Sequence, residues 1–290
     1  MTWDKENPKS EYPKSELCKP AAHYNKSRAK RGIPCSDLGF RKFGFKLVLA
    51  LILLFYLSSL AQAFSFAVFG DNHGNLRMLS DIFTRIKADR DIQFAVNVGD
   101  MVNRGDASQF KAYADFVNNS GVKVYHVMGN HDAYNGDGQF IKYFGRTYYS
   151  FDHENAHFIV LNNALNMYFD ETQLDFLEKD LEANKGRGIF VFFHKPAFDP
   201  SNVYREFVMS DRRLAVKMMD LFKKYKVRYV SSGHIHAYLR SESSGVVYLV
   251  TGGGGGVLHL PAFMGGFYHY VKITVDGDKV KDEVVKLYDQ

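Results

Sequence analysis

Short apolar runs and longer amphipathic stretches alternate along the chain from residue 64 onward. Apolar runs at residues 64–69, 94–98 and 122–128 predict buried strands, because each is short and is followed by glycine and polar residues. Between them, apolar side chains recur at helical spacing over residues 76–86 and 110–117, which predicts two helices. This βαβαβ order is typical of a parallel sheet covered by helices.

The second half of the chain has a more mixed pattern. Two further helices are predicted near residues 174–181 and 214–222. No repeat and no linker composition divides residues 64–290, so we expect one α/β domain with central mixed β-sheets flanked by helices. The remaining predicted strands cover residues 148–151, 158–161, 189–193, 229–232, 246–250, 268–275 and 283–288.

Charge and cysteine are concentrated in the first 63 residues. That leader holds 11 basic and 5 acidic residues, whereas the rest of the chain holds 26 basic and 27 acidic ones. The overall charge of +5 therefore gives no reason to expect a nucleic-acid partner for the body, since such binding needs clustered charge on the domain itself. Both cysteines, Cys18 and Cys35, also lie in the leader, so the body has no disulfide, thiolate ligand or thiol nucleophile.

The leader has two parts. Residues 1–46 are polar and basic, which predicts disorder or a start codon assigned too early, with the true start near Leu38. Residues 47–63 combine a basic flank, an apolar run and the small-residue sequence Ala61-Gln62-Ala63, as in a secretory signal peptide. We expect cleavage near Ala63 and export to the periplasm or the exterior. An uncleaved membrane anchor with the domain outside and a long n-region remain alternatives.

Polar clusters follow five of the predicted strands directly. Because the carboxyl ends of strands in an open α/β sheet share one edge, we expect these clusters to converge there. Carboxylate, imidazole and amide oxygen are ligands that suit Mn, Fe or Zn. The clusters are Asp71 with His73, Asp100, the segment from Asn130 to Asp132, His194, and His234 with His236.

The order of these clusters resembles the calcineurin-like metallophosphoesterase superfamily. That family's pattern is D-x-H, G-D, G-N-H-D/E, H and G-H-x-H, and all five motifs are present across residues 64–290. The resemblance implies the sandwich fold of that superfamily and a metallophosphoesterase, a phosphatase-type hydrolase with a dinuclear metal site. The motifs here are Asp71-Asn72-His73, Gly99-Asp100, Gly129-Asn130-His131-Asp132, His194 and Gly233-His234-Ile235-His236.

The resemblance also implies a role for each residue. Two metal ions, Mn, Fe or Zn, would generate a hydroxide that attacks phosphorus in line with the leaving oxygen. His131 would act beside that oxygen as an acid or electrostatic stabiliser, and Asp132 would orient the His131 imidazole. Asp71, His73 and His236 would hold the first metal; Asn130, His194 and His234 would hold the second; Asp100 would bridge both.

Arg104, a run of glycines and a long loop lie outside the five motifs. Arg104 lies in a segment similar to the G-D-x-V-D-R-G of protein phosphatases, where the arginine binds phosphate, but a solvated loop arginine fits the sequence equally well. Residues 252–256 are all glycine, and we expect a structural turn beside the metal site, since no P-loop lysine follows. Lys195 and Arg205 lie in a plausible substrate loop, residues 195–212, and His259 is expected to be a core or surface residue.

At two positions this chain differs from known subfamilies of the superfamily, which narrows the choice among them. Purple acid phosphatases carry a tyrosine where this chain has Asn103, so the resemblance favours a Mn-, Fe- or Zn-type phosphoesterase. Protein phosphatases carry Glu where this chain has Asp132, which argues against a phosphoprotein substrate. We expect a small phosphomonoester or phosphodiester, such as a nucleotide. A non-catalytic metal-binding scaffold and a nuclease acting on DNA are the alternatives, and the oligomeric state stays open.

Overall fold

The computed structural model describes residues 63–288 and arranges them in two β-sheets. The first sheet has the order β11-β10-β1-β2-β3, and the second has the order β4-β5-β6-β7-β9-β8. The strands are β1 (Phe64–Phe69), β2 (Ile92–Asn97), β3 (Val124–His126), β4 (Tyr149–His153), β5 (Ala156–Val160), β6 (Gly188–Phe192), β7 (Tyr229–Ser232), β8 (Tyr238–Ser243), β9 (Val246–Thr251), β10 (His269–Asp276) and β11 (Lys279–Lys286). The helices are α1 (Leu76–Ala88), α2 (Ala107–Ser120), α3 (Gly138–Phe144), α4 (Glu171–Ala183) and α5 (Arg212–Lys224), with a short 3₁₀ turn at Ala262–Met264.

Each sheet combines a run of neighbouring parallel strands with antiparallel strands at one edge or at both. Strands β1, β2 and β3 pair in parallel, which confirms the predicted βαβαβ start. Strands β5, β6, β7 and β9 are likewise parallel, while β10, β11, β4 and β8 pair antiparallel. Parallel pairing places the carboxyl ends of β1, β2 and β3 at one edge of the first sheet, and those of β6 and β7 at one edge of the second.

The two sheets pack face to face through aromatic side chains. Phe66 of β1 lies 5.3 Å from Phe158 and 5.3 Å from Phe190 of the second sheet, ring centroid to ring centroid, in edge-to-face geometry. Helices α1, α2 and α3 cover the outer face of the first sheet, and α4 and α5 cover that of the second. The result is a four-layer sandwich, and the predicted fold class is confirmed.

Two elements were not predicted from the sequence. Helix α3 has only 7 residues, so its apolar positions are too few for a helical period to be read. Strand β8 is an edge strand with no buried residue, so it lacks the apolar run by which strands were recognised. It forms by pairing with β9 in a hairpin. Backbone hydrogen bonding rather than side-chain burial thus specifies this strand.

The predicted leader, residues 1–46, and nearly all of the predicted signal peptide or anchor, residues 47–63, lie outside the described residues. The predicted disorder or early start of the leader and the predicted cleavage near Ala63 therefore stay predictions. The domain boundary at residue 64 is also still a prediction. Within residues 63–288 no helix has the length and apolarity needed to cross a membrane.

Candidate metal centre

The loops that follow the strands are joined by backbone hydrogen bonds. The amide of Asp71 donates to the carbonyl of Gly99 at 2.9 Å, and the amide of Gly233 donates to the carbonyl of His194 at 2.9 Å. The two sheets are linked by the His194 ring, whose Nδ1 lies 2.9 Å from the carbonyl oxygen of Val98. The predicted convergence of strand-end loops therefore occurs across both sheets.

Four of the converging residues have left-handed backbone geometry. The φ angles are 60° at Asp71, 47° at His73, 54° at Asp100 and 67° at His234. Each such residue costs roughly 1–3 kcal/mol and persists only where surrounding structure enforces it. The concentration of this strain in strand-end loops marks them as a functional site rather than as ordinary turns.

Glycines allow the backbone to approach the site closely. A Cβ on Gly129 would lie 2.2 Å from Oδ1 of Asp100, and one on Gly256 would lie 2.7 Å from Cε1 of His236. No side chain fits at such distances. The glycine run at residues 252–256 is thus a close-packed turn beside the candidate site, as the sequence predicted.

The first group of donor atoms surrounds the end of β1. Nε2 of His73 lies 3.1 Å from Nε2 of His236 and 3.6 Å from Oδ2 of Asp100. Oδ1 of Asp71 lies 3.5 Å from Nε2 of His236. One ligand atom from each of these four residues lies within 4.8 Å of all the others.

The second group shares Asp100 with the first. Nε2 of His194 lies 3.2 Å from Oδ2 of Asp100 and 3.2 Å from Nδ1 of His234. Oδ1 of Asn130 is 3.0 Å from the same His194 nitrogen. Oδ2 of Asp100 therefore faces one imidazole of each group, which is the position that a bridging ligand needs.

These spacings fit metal coordination. Donor atoms about 2.1 Å from one cation stand roughly 3.0–3.4 Å apart in octahedral or tetrahedral geometry, close to the observed distances. The ring orientations agree, because Nδ1 of His194 and of His236 each lie within hydrogen-bond distance of a backbone carbonyl, which can only accept. Nδ1 therefore carries the proton, and in each neutral ring Nε2 presents a lone pair to the site.

The carboxylates and imidazoles in the site stabilise each other's charged forms. Burial by itself raises the pKa of Asp100, but the imidazoles of His194 and His73 reverse this effect and hold the pKa well below its usual range. Burial lowers the pKa of His194, yet the carboxylates of Asp100 and Asp71 raise it to about 9. The carboxylates thus stay ionised, as metal ligands must be.

Asp132 does not have the predicted contact with His131. Its carboxylate accepts hydrogen bonds from the amides of Val102 at 3.1 Å and Gly129 at 2.8 Å. Burial raises the pKa of Asp132 to about 8, with Asp100 acting in the same direction. The prediction that Asp132 orients His131 is wrong, because the turn directs its side chain inward to join two loops.

Asn103 takes the place that was predicted for Asp132. Nδ1 of His131 lies 2.7 Å from the carbonyl oxygen of Asn103, and the His131 ring packs edge-to-face on His73 with centroids 4.4 Å apart. Arg104 follows on the same loop with an exposed side chain, and its main chain is held by Gln109 and Asn135. Its predicted phosphate contact stays a prediction.

Sequence reasoning missed several supporting residues. Buried Asn72, the unspecified position of the first motif, donates to the carbonyl of Met101 at 2.8 Å and so connects the first two loops. Asn163 accepts from the amide of His194 at 3.0 Å. His259 stacks on His236. A polar side chain just after an apolar run was the available signal for Asn163, but no local signal distinguished Asn72 or His259.

Comparison with known proteins agrees with this geometry. A model of the calcineurin-like phosphoesterase family matches residues 64–238. A purple acid phosphatase from yellow lupin (Lupinus luteus) seeds superposes with TM-score 0.67 and 19% identity, over 78% of this chain and 52% of that one. A dimetal phosphatase from Danio rerio superposes with TM-score 0.63 and 16% identity, over 78% of this chain and 97% of that one.

A third solved structure belongs to a protein described as an anchor. GAP50, the anchor in the inner membrane complex of Plasmodium, superposes with TM-score 0.62 and 17% identity, over 78% of this chain and 85% of that one. At these identities the likenesses show the shared fold. The chain spans only about half the length of the lupin phosphatase, whose 52% coverage leaves much of that protein unmatched.

Proposed function

We propose that this chain, which belongs to the calcineurin-like phosphoesterase family, is a phosphoric ester hydrolase that cleaves small phosphate esters at a dinuclear metal centre. One observation carries the proposal. Oδ2 of Asp100 lies 3.6 Å from Nε2 of His73 and 3.2 Å from Nε2 of His194, so a single carboxylate oxygen serves both donor groups.

The residues divide between two cations. Such cations, proposed to be Mn, Fe or Zn, polarise a phosphoryl group and activate water near neutral pH. Imidazole, carboxylate and amide donors suit these metals, and the donor groups contain no thiolate. Asp71, His73 and His236 would hold one ion, Asn130, His194 and His234 the other, and Asp100 both.

His131 is the proposed proton donor. Its Nδ1–H donates to the carbonyl of Asn103 at 2.7 Å, so the ring is held and Nε2 is the nitrogen that exchanges a proton. In the imidazolium form, Nε2–H can protonate the leaving oxygen or stabilise its charge. Arg104 is the proposed second cation for the phosphate, since its loop also carries Asn103.

The proposed substrate class is inferred from the charge of the body of the chain. The body of the chain has 26 basic and 27 acidic residues, which argues against extended nucleic acid and for a small ester such as a nucleotide. The absence of cysteine from residues 64–290 suits the proposed export to an oxidising compartment.

The test uses purified protein stripped with a chelator and reloaded with Mn²⁺. Hydrolysis of p-nitrophenyl phosphate and bis-p-nitrophenyl phosphate is compared for the wild type, His131→Ala and the control His153→Ala. We expect metal-dependent turnover that His131→Ala lowers by about 10²–10⁴-fold with both metals kept, because general acid catalysis contributes that much. The control should match the wild type, since His153 contacts Phe64 at the start of β1.

The two esters also separate the alternatives. The preferred ester identifies a monoesterase or a diesterase. An unchanged rate in His131→Ala would remove that residue from the mechanism. Metal-loaded wild type that turns over neither ester would contradict the proposal and favour the non-catalytic scaffold.

A further inference from the structure

His259 lies directly against the candidate metal centre, although it belongs to none of the five motifs. Its ring is nearly parallel to that of His236, with centroids 4.1 Å apart and planes 11° apart. A backbone hydrogen bond also joins the two residues, because the amide of His259 donates to the carbonyl of His236 at 3.1 Å.

The second hydrogen bond of the pair uses the His259 ring. The amide of His236 donates to Nδ1 of His259 at 3.1 Å, and since an amide N–H can only donate, that ring nitrogen is an acceptor. Two residues earlier, the carbonyl of Val257 accepts from Nδ1 of His236 at 2.6 Å. The segment of residues 257–259 therefore holds both the main chain and the ring of one proposed ligand.

His259 also contacts the loop of residues 199–207. The hydroxyl of Tyr204 donates to the carbonyl of His259 at 2.7 Å. The ring of Phe207 lies 5.5 Å from that of His259 and 5.5 Å from that of His234, centroid to centroid. One aromatic cluster, Tyr204, Phe207 and His259, thus touches both histidines of the last motif.

The same loop is itself held in place. Asp199 is 8% exposed, and its carboxylate accepts from the amide of Ser201 at 2.8 Å and from the amide of Tyr204 at 2.6 Å. These bonds fix the position of Tyr204, whose hydroxyl contacts His259. A continuous chain of contacts therefore runs from Asp199 through Tyr204 and His259 to His236.

We propose that His259 is a positioning residue of the metal centre, which fixes His236 by stacking and by the hydrogen bond to its amide. The proposal rests on the proposed function in one respect, namely that His236 is a metal ligand. Partners that orient ligands typically contribute 10–100-fold to metal affinity or activity. We expect a loss of that size at the ion held by His236, with a smaller effect at the other ion.

Three substitutions separate the two contacts. His259→Ala removes the ring and the acceptor, His259→Asn keeps an acceptor near Nδ1 but loses the stack, and His259→Phe keeps the stack but loses the acceptor. His153→Ala is the matched control, because His153 is also half-buried but packs on Phe64 and Phe94 instead.

Metal binding is measured on full-length chains without substrate. Equilibrium dialysis with Mn²⁺ gives the stoichiometry, and the Mn²⁺-dependent rise in unfolding temperature gives the affinity. We expect His259→Ala to bind one ion about 10–100-fold more weakly, with Asn or Phe restoring part of the loss. The unfolding temperature of the metal-free protein should change little, and kcat should fall more than KM rises.

Several results would overturn the proposal. One is a folded His259→Ala that binds two ions with wild-type affinity. If His259→Ala does not fold, Asn and Phe variants that both bind metal as the wild type does would overturn it equally. Failure of the wild type to bind Mn²⁺, Fe²⁺ or Zn²⁺ would remove the proposed function as well, whereas normal wild-type binding unaffected by these substitutions removes only the role of His259.

Discussion

The candidate metal centre and the cluster of His157 with Asp152 and Asp180 both join imidazole to carboxylate, but in the metal centre ring nitrogens of different histidines also meet. Both ring nitrogens of His157 face carboxylate oxygens, at 2.7 Å for Asp152 and 2.9 Å for Asp180. In the metal centre, ring nitrogens of different histidines face each other at 3.1 and 3.2 Å. The first arrangement stabilises one protonated ring, whereas the second brings several nitrogen and oxygen donors together around one place that a cation can occupy.

The two regions also differ in backbone geometry. His157 lies within strand β5 and pairs with Ile189 in regular register. Asp71, His73, Asp100 and His234 all have positive φ in loops beyond strand ends. Clustered histidine and aspartate therefore indicate a metal site where donor atoms of several side chains converge and the backbone is strained.

Asp100→Ala gives the largest expected effect on this contrast. Removing the shared carboxylate should abolish binding of both ions and lower turnover by more than the ~10²-fold that outer partners contribute. Elemental analysis after dialysis measures the ions, and Asp180→Ala in the other cluster is the control. A variant that retains two ions per chain would show that Asp100 does not bridge.

Gly129→Ala should have the next largest effect. The new Cβ would lie 2.2 Å from Oδ1 of Asp100, so that carboxylate must move. We expect Mn²⁺ affinity to fall about tenfold or more, while Gly186→Ala, in open space at a distant turn, leaves Mn²⁺ affinity unchanged. Gly186 has positive φ whereas Gly129 does not, so the control variant bears backbone strain without the steric clash. Equal Mn²⁺ affinity in both variants would show that residue 129 does not lie close enough to Asp100 to displace it.

Asp132→Asn tests whether a carboxylate beside the metal centre has a structural role. The amide can accept one of the two backbone hydrogen bonds but offers N–H to the other donor, so we expect about 1–3 kcal/mol lower stability. Urea unfolding measures this loss. If turnover of the folded variant falls as far as in His131→Ala while stability is kept, the corrected role for Asp132 is itself wrong.

His157→Gln should have the smallest effect, and that effect should depend on pH. Burial lowers the pKa of His157, but hydrogen bonds to Asp180 and Asp152 outweigh burial and raise it. The stabilisation is therefore complete below the unfolded pKa of about 6.5 and is lost as pH rises through the higher folded value. We expect a difference of at most about 1 kcal/mol from the wild type, because Asp152 is exposed.

Unfolding of metal-free wild type and His157→Gln between pH 6 and pH 9 measures that trend. The difference in unfolding free energy should shrink as pH rises. A difference that grows with pH would show that the native ring is neutral. A difference that does not change with pH would show that the ion pair contributes nothing to stability.

Motif spacing predicted the convergence of Asp71, Asp100, His194 and His236 because each follows an apolar strand, and parallel pairing brings strand ends together. The prediction for Asp132 was wrong because adjacency along the chain does not determine where a side chain points. Its partners are the amides of Val102 and Gly129, and Val102 lies 30 residues earlier.

The sequence by itself determined the βαβαβ start, the candidate ligand types and the family resemblance, because burial leaves a local period and the motifs are short. The tertiary structure decided which atoms face one another. His259 and His236 are 23 residues apart, yet their rings stack and a backbone hydrogen bond joins them. Such contacts depend on how distant segments pack, which local periodicity does not encode.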